Sequence, residues 1–527
     1  MTYLALIVRM LQARGPAAVG VAAVLAWIVA ASPARTQERQ ATPLWVDVTS
    51  STIGATKLWT NKVEIADLNG DGRPDLLFAN GGDYSTPGTP ELNQVFFNTG
   101  AGSRFVEMTE QVLGATPDLA RVIKARDLNG DGLVDIVIGT TYQTQSRLFL
   151  GAGGGRFTEV TRTHLPQQPL SVGDLEPGDV DGDGDLDLVL ADWGAGNNMT
   201  NGGGVTRLWL NDGSGKFADD TTARMPDIKI RFSWDLELAD VDNDADLDLL
   251  ISCKRCPGSH LLRNDGTGKF VDDPRGMPAY TNNYEFEPMD LDGDGFLDVV
   301  TMNDGDIVGG NSSSRREHVF RNDGKGRFRD ATDEWWPAAA NVGEDDNMAA
   351  FLDVDSDGDA DFVIGSLSGP DRLLINDGRG RLQVRLDVFD GAPTPGTLGL
   401  ALADLDADGR VDVVQGQGEH PKAVDERVFS GRGLAPDTAP PSITMVSTDA
   451  SGRIVRARVH DRKSPSLPFE WRRVEVEWML SARPRVVAMQ WYGEYLWRAA
   501  WPADVPAGTP YRVCATDASG NNACSAR

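Results

Sequence analysis

Histidines are scarce in this chain, and none has a catalytic partner in the sequence. Its 527 residues contain five His, at positions 164, 260, 318, 420 and 460. They lie in different parts of the chain, and no Ser or Cys nucleophile motif stands beside them. Acid–base and nucleophilic catalysis both require such groups within hydrogen-bond reach of one another. The sequence therefore predicts a protein that is not an enzyme.

Basic residues are also in deficit. There are 50 Lys and Arg against 78 Asp and Glu, which gives a formal net charge of −28. Proteins that bind nucleic acid neutralise its phosphates with a stripe of Lys and Arg, and this sequence offers none. We therefore expect no nucleic-acid partner.

Long hydrophobic runs are absent except for one near the N-terminus. Residues 17–31 are apolar, follow Arg9 and Arg14, and precede a small-x-small cleavage site at 32–34. The run is shorter than the roughly 20 residues of a membrane span. Residues 1–34 are thus predicted to be a signal peptide, with a mature protein that is secreted, periplasmic or on the cell surface and has no integral span. An uncleaved anchor is the alternative.

Only four cysteines are present. Cys253 and Cys256 form a C-x-x-C pair, but a zinc site would need two more ligands and only His260 is near. A thioredoxin-like redox role would need a βαβ setting, which is absent. The pattern favours a small disulfide that pins a loop, although four cysteines allow three pairings.

Asp, by contrast, is abundant and regularly spaced. The pattern Asp-x-Asx-x-Asp-Gly-x-x-Asp returns seven times, with one exception at its Gly, and we number the copies loop one to loop seven. Side-chain oxygens at positions 1, 3, 5 and 9, with the backbone carbonyl of position 7, suit Ca²⁺, which takes about six to eight oxygens. The predicted ligands, loop by loop, are Asp67, Asn69, Asp71, Arg73 and Asp75; Asp127, Asn129, Asp131, Leu133 and Asp135; Asp179, Asp181, Asp183, Asp185 and Asp187; Asp240, Asp242, Asp244, Asp246 and Asp248; Asp290, Asp292, Asp294, Phe296 and Asp298; Asp353, Asp355, Asp357, Asp359 and Asp361; Asp404, Asp406, Asp408, Arg410 and Asp412.

These loops are not EF-hands. An EF-hand requires Glu at position 12, where the first three copies have Phe78, Ile138 and Leu190. Short apolar runs such as 135–139 follow the loops and predict strands, so each loop joins two strands of a hairpin. Seven bound Ca²⁺ ions would halve the net charge of the chain. Without metal, the crowded carboxylates of each loop repel one another.

Each repeat contains two further strands. An aliphatic strand, a Gly-rich turn and a strand that opens with an aromatic residue follow the loop, as in 207–217, 260–270 and 318–328. Asn-Asp-Gly in that turn is a strong hairpin signal. The repeats begin 50 to 63 residues apart. Seven units of four strands predict a β-propeller.

The two ends of the repeat array are expected to pair. The last repeat has no clear fourth strand before the Pro-rich stretch at 436–441, whereas residues 44–49 match the fourth-strand pattern of 104–109. We predict that this N-terminal strand completes the seventh blade, which removes an exposed sheet edge.

Together these motifs resemble the FG-GAP/VCBS repeat family, the propeller type similar to the integrin α-subunit head, over residues 44–434. The resemblance implies a seven-bladed propeller with up to seven Ca²⁺ ions. The one departure is Ala245, which replaces Gly in loop four at a cost of about 1 kcal/mol, so a weaker or reshaped site is expected there.

Such proteins include adhesins, lectin-like proteins, lyase-associated propellers and many proteins of unknown role, so the resemblance is specific for fold and metal but not for activity. The function we expect is that of a non-catalytic binding or adhesion module for a glycan or a surface protein. The alternative is a calcium-dependent polysaccharide-active enzyme, such as a lyase, that uses Arg231, Lys254 or Lys422 to stabilise a uronate carboxylate. A purely structural envelope protein is a third reading.

A second domain follows a Pro-rich linker at 435–441. Residues 442–527 contain short alternating strands, which predict a small β-sandwich of the immunoglobulin or fibronectin type. Their end, 511–524, resembles the last hairpin of bacterial Ig-like modules. That resemblance implies a disulfide between Cys514 and Cys524, which export allows. The predicted fold is all-β: a seven-bladed propeller closed by its N-terminal strand, then a sandwich.

The ligand is expected on the face opposite the loops. Connections between the second and third strands, and from the fourth strand to the next repeat, are long and carry aromatic residues that look exposed. Such rings suit both the apolar faces of sugars and the hot spots of protein partners. The candidates are Tyr84, Tyr142, Trp193, Trp234, Tyr284, Trp335 and Trp336.

Overall fold

The computed structural model describes residues 43–526, apart from 84, 101–103, 198–199, 255, 257, 281–282, 304–315, 342–343, 392–395, 419–423 and 482. The predicted signal peptide, Tyr84 and Lys422 lie outside the described residues. Residues 43–527 belong to one compact unit. Within the described ranges, no helix combines the length and the apolar character that crossing a membrane requires.

Antiparallel β-sheets form the framework of the structure. Six sheets contain four strands each in sequence order, and every one carries one Asp-rich loop between its first two strands. The strands are β2 Thr60–Ala66, β3 Asp75–Asn80, β4 Gln94–Asn98 and β5 Phe105–Glu107; β6 Ala120–Arg126, β7 Asp135–Thr140, β8 Arg147–Gly151 and β9 Phe157–Glu159; β10 Val172–Gly178, β11 Asp187–Asp192, β12 Arg207–Asn211 and β13 Phe217–Asp219; β14 Leu236–Ala239, β15 Asp248–Ile251, β16 His260–Asn264 and β17 Phe270–Asp272; β18 Asn283–Met289, β19 Asp298–Asn303, β20 His318–Asn322 and β21 Phe328–Asp330; β22 Asp346–Leu352, β23 Asp361–Ser366, β24 Arg372–Asn376 and β25 Leu382–Arg385.

A seventh sheet combines the two ends of the repeat array. It contains β26 (Thr397–Ala403), β27 (Asp412–Gln417), β28 (Arg427–Ser430) and the N-terminal β1 (Val46–Asp47). In the β1–β28 pairing, the residue opposite Val46 is Ser430. The N-terminal segment therefore occupies the fourth-strand position of the last repeat.

Neighbouring repeats are joined at the level of the Asp-rich loops. The first strands of successive sheets contact one another, and β26 contacts β2 in the same way. The buried Asn322, which ends β20, donates from Nδ2 to the Val241 carbonyl of the preceding repeat at 2.8 Å. Asn98 likewise donates to the Leu405 carbonyl of the last repeat at 2.8 Å. The arrangement of the sheets is propeller-like.

In the described part of the chain, four one-turn α-helices follow fourth strands, and the sequence did not predict them. Each begins with a buried Thr whose Oγ1 accepts an amide of the third strand; Thr109, for example, accepts from Val95 at 3.0 Å. Thr49, after β1, accepts from Val428 in the same way at 3.0 Å. The helices are α1 Thr109–Val112, α2 Thr161–His164, α3 Thr221–Arg224 and α4 Thr332–Trp335.

Residues 442–526, which we call the C-terminal module, form two further four-stranded sheets. A core that includes Val455, Val476, Trp478 and Val513 fills the space between them. One sheet has the order β29 Ser442–Thr448, β30 Ile454–His460, β34 Leu496–Ala500 and β33 Gln490–Gly493; the other has β32 Arg485–Ala488, β31 Trp471–Trp478, β35 Tyr511–Asp517 and β36 Asn522–Cys524.

Candidate metal centres and the adjacent cleft

The first Asp of each loop is held by backbone amides. In loop one, Asp67 Oδ1 accepts from the amides of Gly70 and Asp71 at 2.9 and 3.0 Å, and its Oδ2 accepts from Gly72 at 2.8 Å. Gly70 and Gly72 adopt φ of 78° and 80°, which lets the chain turn tightly around the carboxylate. The loop backbone therefore fixes the position-1 ligand.

The last Asp of each loop is fixed from two directions. Asp361 of loop six accepts the Val354 amide on Oδ2 at 3.1 Å and the Asn376 amide on Oδ1 at 2.7 Å. The first donor lies in the loop and the second ends β24. The position-9 carboxylate therefore ties the loop to the third strand of its sheet.

Carboxylates converge in most of the loops. Groups of three ligand oxygens lie within 4.8 Å of one another in loops three to seven, as follows: Asp179, Asp181 and Asp187; Asp240, Asp242 and Asp244; Asp290, Asp292 and Asp294; Asp353, Asp355 and Asp357; Asp404, Asp406 and Asp412. Clustered carboxylate oxygens are the donor set of hard divalent cations. The chemistry of these loops therefore fits a metal such as Ca²⁺.

Burial and crowding oppose ionisation of the position-9 carboxylates. Burial, together with the neighbouring loop carboxylates, raises the pKa of Asp187 and Asp361 to about 8. The pKa values of Asp75, Asp135 and Asp412 rise to about 7 for the same reasons. A bound cation would offset this repulsion.

The side chains at position 7 differ between loops. Arg73 and Arg410 turn back onto the position-5 carboxylates Asp71 and Asp408, the second at 2.9 Å. The other residues predicted at this position are Leu133, Asp185, Asp246, Phe296 and Asp359. This variety agrees with a position chosen for its backbone and not for its side chain.

The C-terminal module lies on the loop side of the sheets. Arg462 contacts the Gly358 carbonyl of loop six, and Arg498 pairs with Asp179 of loop three. Beside loops one and two, a cleft of about 460 Å³ remains open between the loops and the module. Asp67 and Asp127 line one wall, and Pro468, Phe469 and Trp491 line the other. The cleft thus combines predicted metal ligands with apolar rings.

A hairpin of the module closes a cavity at the centre of the repeats. Tyr492 accepts the Asp179 amide on its carbonyl at 2.9 Å, and Glu494 lines an internal cavity of about 60 Å³. Glu176, Glu237 and Glu287 line the same cavity, and each stands three residues before its loop. Burial raises the pKa of Glu176 to about 7 and raises the pKa values of Glu237, Glu287 and Glu494 as well.

Comparison with known proteins gives this pattern a name. A sequence model of the FG-GAP-like repeat matches residues 67–138, 127–190 and 353–414. The chain carries FG-GAP-like repeats. The matches span loops one to three, six and seven, whereas loops four and five lie outside them.

The chain has distant likenesses among solved structures. A lectin from Agrocybe aegerita that recognises non-reducing terminal N-acetylglucosamine matches at 19% identity and a TM-score of 0.41, over 63% of this chain and 81% of that one. BBS1N in complex with ARL6DN matches at 10% identity and 0.44, over 74% and 98%. Neither bears on the fold or the ligand at these scores. No curated protein sequence matches the chain.

The aromatic residues expected to face a ligand are mostly buried, so that expectation was wrong. Trp193 and Trp336 are 0% exposed, and Trp234, Tyr284 and Trp335 are 3 to 6% exposed. Tyr142 is half-buried, and Tyr84 lies outside the described residues. Connections of neighbouring repeats bring the rings together: Trp193 stacks on Phe232 with centroids 4.6 Å apart. Packing against one another removes them from solvent.

Two of the residues considered for lyase chemistry, Lys254 and Arg231, lie within the described residues, and Lys422 does not. Lys254 is buried, lies over the Tyr284 ring at 3.9 Å and contacts its hydroxyl. Arg231 is exposed and donates to the Asn201 carbonyl at 3.1 Å.

Disulfides join Cys253 to Cys256 and Cys514 to Cys524, as the sequence predicted.

The interdomain contacts are what the sequence did not reveal. Arg456, Arg458 and Arg498 reach the loops, yet each belongs to an ordinary alternating strand of the module. Their periodicity carries no sign of a partner outside the sandwich. The Asn before each Gly-rich turn is part of the turn signal in the sequence. In the structure its side chain also donates to a carbonyl of a neighbouring repeat, as Asn322 does to Val241.

Proposed function

We propose that the chain is an exported, calcium-binding, seven-bladed β-propeller that acts as a non-catalytic binding module for a glycan. The convergence of loop carboxylates within FG-GAP-like repeats carries this proposal, because such donor sets suit Ca²⁺. The pairing of β1 with β28 and the contact of β26 with β2 support a closed ring of seven blades.

Calcium has a structural role in this proposal. The side chains at positions 1, 3, 5 and 9 would hold the ion, with the carbonyl of position 7. The ion would neutralise carboxylates that otherwise repel one another and would stiffen the loops. Secretion fits this chemistry, since extracellular calcium is abundant enough to fill such sites.

The glycan is proposed to bind in the cleft beside loops one and two. Its volume of about 460 Å³ suits a small ligand. Phe469 and Pro468 offer apolar surfaces to a sugar ring, while Asp67, Asn69 and Asp127 on the opposite wall supply oxygens for its hydroxyls or hold the metal beside them. This site replaces the buried aromatic residues that the sequence favoured.

The test is retention of the mature protein on a panel of immobilised polysaccharides, in millimolar Ca²⁺ and again in EDTA. We expect retention on one class of polysaccharide, lost in EDTA and in Phe469→Ala. The control is Leu386→Ala, an exposed apolar residue outside the cleft. Retention that persists in Phe469→Ala would move the ligand away from the cleft.

Two other outcomes would redirect the proposal. No retention on any polysaccharide would point to a protein partner, with calcium in a purely structural role. Release of unsaturated, ultraviolet-absorbing products from a pectin-like substrate would establish lyase activity and overturn the non-catalytic assignment.

A further inference from the structure

Loop four (residues 240–248) differs from the other loops at its position-9 carboxylate. In the six others, Oδ2 of this Asp accepts the amide of position 2, as Asp361 accepts from Val354. In loop four, Asp248 Oδ2 instead accepts Arg263 Nη1 at 3.2 Å. The same nitrogen lies 3.3 Å from Asp242 Oδ2. One guanidinium therefore bridges ligand positions 3 and 9.

A second guanidinium, from Arg458 of the C-terminal module, contacts Asp240 at position 1. Arg458 Nη2 donates to the Asp240 carbonyl at 2.7 Å and to Asn243 Oδ1 at 2.8 Å, and it lies 3.4 Å from Asp240 Oδ2. The side chains of Arg458 and Asp240 are 1% and 0% exposed. A buried guanidinium needs a carboxylate partner, and Asp240 is that partner.

Further contacts from the module cover the turn of the loop. Arg456 pairs with Asp246 at 3.1 Å, and the Tyr492 hydroxyl donates to the Ala245 carbonyl at 2.9 Å. Ala245 replaces the usual Gly, has φ of 68° and is buried. Three side chains of the module, from Arg456, Arg458 and Tyr492, therefore contact loop four.

Loop six is the natural comparison, because it also contains five Asp. Arg462 of the module contacts the Gly358 carbonyl of loop six and donates to the Pro440 carbonyl at 2.8 Å. Within the described ranges, no Lys, Arg or His lies within ion-pair distance of a loop-six carboxylate. The carboxylates converge within 4.8 Å in both loops. Loops four and six therefore differ in whether arginine side chains already pair with their carboxylates.

Loops three and five are intermediate. In loop three, Arg498 pairs with Asp179 at position 1 and Arg224 lies 3.6 Å from Asp181 at position 3. In loop five, Arg321 contacts Asp292 and Asp294 at positions 3 and 5. In both loops the position-9 Asp keeps its amide from position 2. Among the residues that the structure describes, guanidinium groups contact positions 1, 3 and 9 together in loop four alone.

We propose that loop four binds no calcium and serves as an arginine-filled anchor for the C-terminal module. A Ca²⁺ ion there would have to displace Arg263 and would place two positive charges beside the buried Arg458, whose desolvated guanidinium could not move to water. This inference rests on the proposal that the other loops bind calcium, and it assigns loop four a different role.

Calcium counting on matched variants is the first test. Asp244→Asn in loop four and Asp357→Asn in loop six change the same exposed ligand position. Metal-free full-length protein would be titrated with Ca²⁺ by calorimetry, and bound metal would be counted after gel filtration. We expect Asp357→Asn to bind one ion fewer than wild type and Asp244→Asn to bind the same number. Loss of one ion in Asp244→Asn would overturn the proposal.

Hydrogen exchange tests the anchoring role of loop four independently of calcium. If no loop bound calcium, the proposed calcium-binding function would fail, but the anchor would still be tested by this measurement. With Ca²⁺ present, Arg458→Met is expected to speed exchange of the loop-four amides by about tenfold or more, because local opening becomes easier. Arg462→Met, which removes a contact to a loop-six carbonyl, should leave loop four unchanged. Wild-type exchange in Arg458→Met would show that Arg458 does not hold the loop.

Discussion

The two ends of the repeats are built from opposite kinds of interaction. At the loop end, carboxylates such as Asp67 and Asp353 are only partly buried and stand close to like charges. At the other end, rings such as Trp193 and Phe232 are 0% exposed and stack on each other. One end therefore needs a partner of opposite charge, while the other is complete in itself. The same strands connect an ion-dependent layer to a packed layer.

The largest expected effect is loss of the ion-dependent layer in EDTA. A site filled at 100 times its Kd contributes about 2.7 kcal/mol to the free energy of unfolding, and several sites act together. We expect a large fall in Tm when Ca²⁺ is replaced by EDTA, measured by differential scanning calorimetry. Mg²⁺ at the same concentration is the control and should restore little. Equal Tm values with and without Ca²⁺ would remove the contrast between the two ends.

Truncation of Trp193 tests the packed layer. Trp193→Ala leaves a cavity against Phe232 and Trp234, and deletions of this size cost about 3–5 kcal/mol. The loss, measured by urea unfolding, should be the same in Ca²⁺ and in EDTA. Trp193→Phe, which keeps a ring in place, should cost less. A much larger loss in one condition would mean that the two ends are coupled.

Substitution of Asn322 tests the joint between neighbouring repeats. In Asn322→Ala the buried carbonyls of Val241 and Leu297 lose their donor, which costs about 1–3 kcal/mol. Asp323→Ala, at the exposed next position, removes only hydrogen bonds within the turn, from the Lys325 and Arg327 amides, and should cost less, about 0.5–1 kcal/mol. Similar losses of unfolding free energy in the two variants would show that only the turn matters.

The smallest expected effect concerns the hairpin in the central cavity. Burial raises the pKa of Glu494, so this group stabilises the folded state below its unfolded pKa, near 4.3, and the contribution is lost as pH rises through the folded value. Each unit of elevation is worth about 1.4 kcal/mol. Glu494→Gln should therefore have a higher Tm than wild type at pH 8 and a similar Tm at pH 5.

Comparing the Glu494→Gln variant with wild type at each pH cancels the effect of acid on the loops. Glu176, Glu237, Glu287, Lys124 and Arg126 also line the cavity and are unchanged in both proteins. A Tm difference that is constant between pH 5 and pH 8 would show that Glu494 does not titrate in this range.

Much of the fold is readable from the sequence because its signals are local. The loop pattern, the short apolar runs and the Asn-Asp-Gly turns predict the sheets, and each depends on residues within about ten positions of one another. The loop carboxylates were predictable for the same reason. The burial of Trp193 was not, because it depends on rings from other repeats.

The role of loop four illustrates the same limit. Ala245 in place of Gly marks this loop as unusual and predicts a weaker or slightly reshaped metal site. Arg458, which we propose pairs with Asp240 in place of a metal ion, lies 218 residues away from Asp240 in the sequence. A long-range ion pair of this kind leaves no periodic or spacing signal in either segment.

A crystal structure with anomalous data from crystals grown in Ca²⁺ is the most direct test of which loops bind calcium. We predict anomalous peaks in loops two and six, and in loop four the guanidinium groups of Arg263 and Arg458 with no peak between the carboxylates. A peak in loop four would contradict its role as an anchor. The absence of peaks from every loop would contradict the calcium-binding propeller itself.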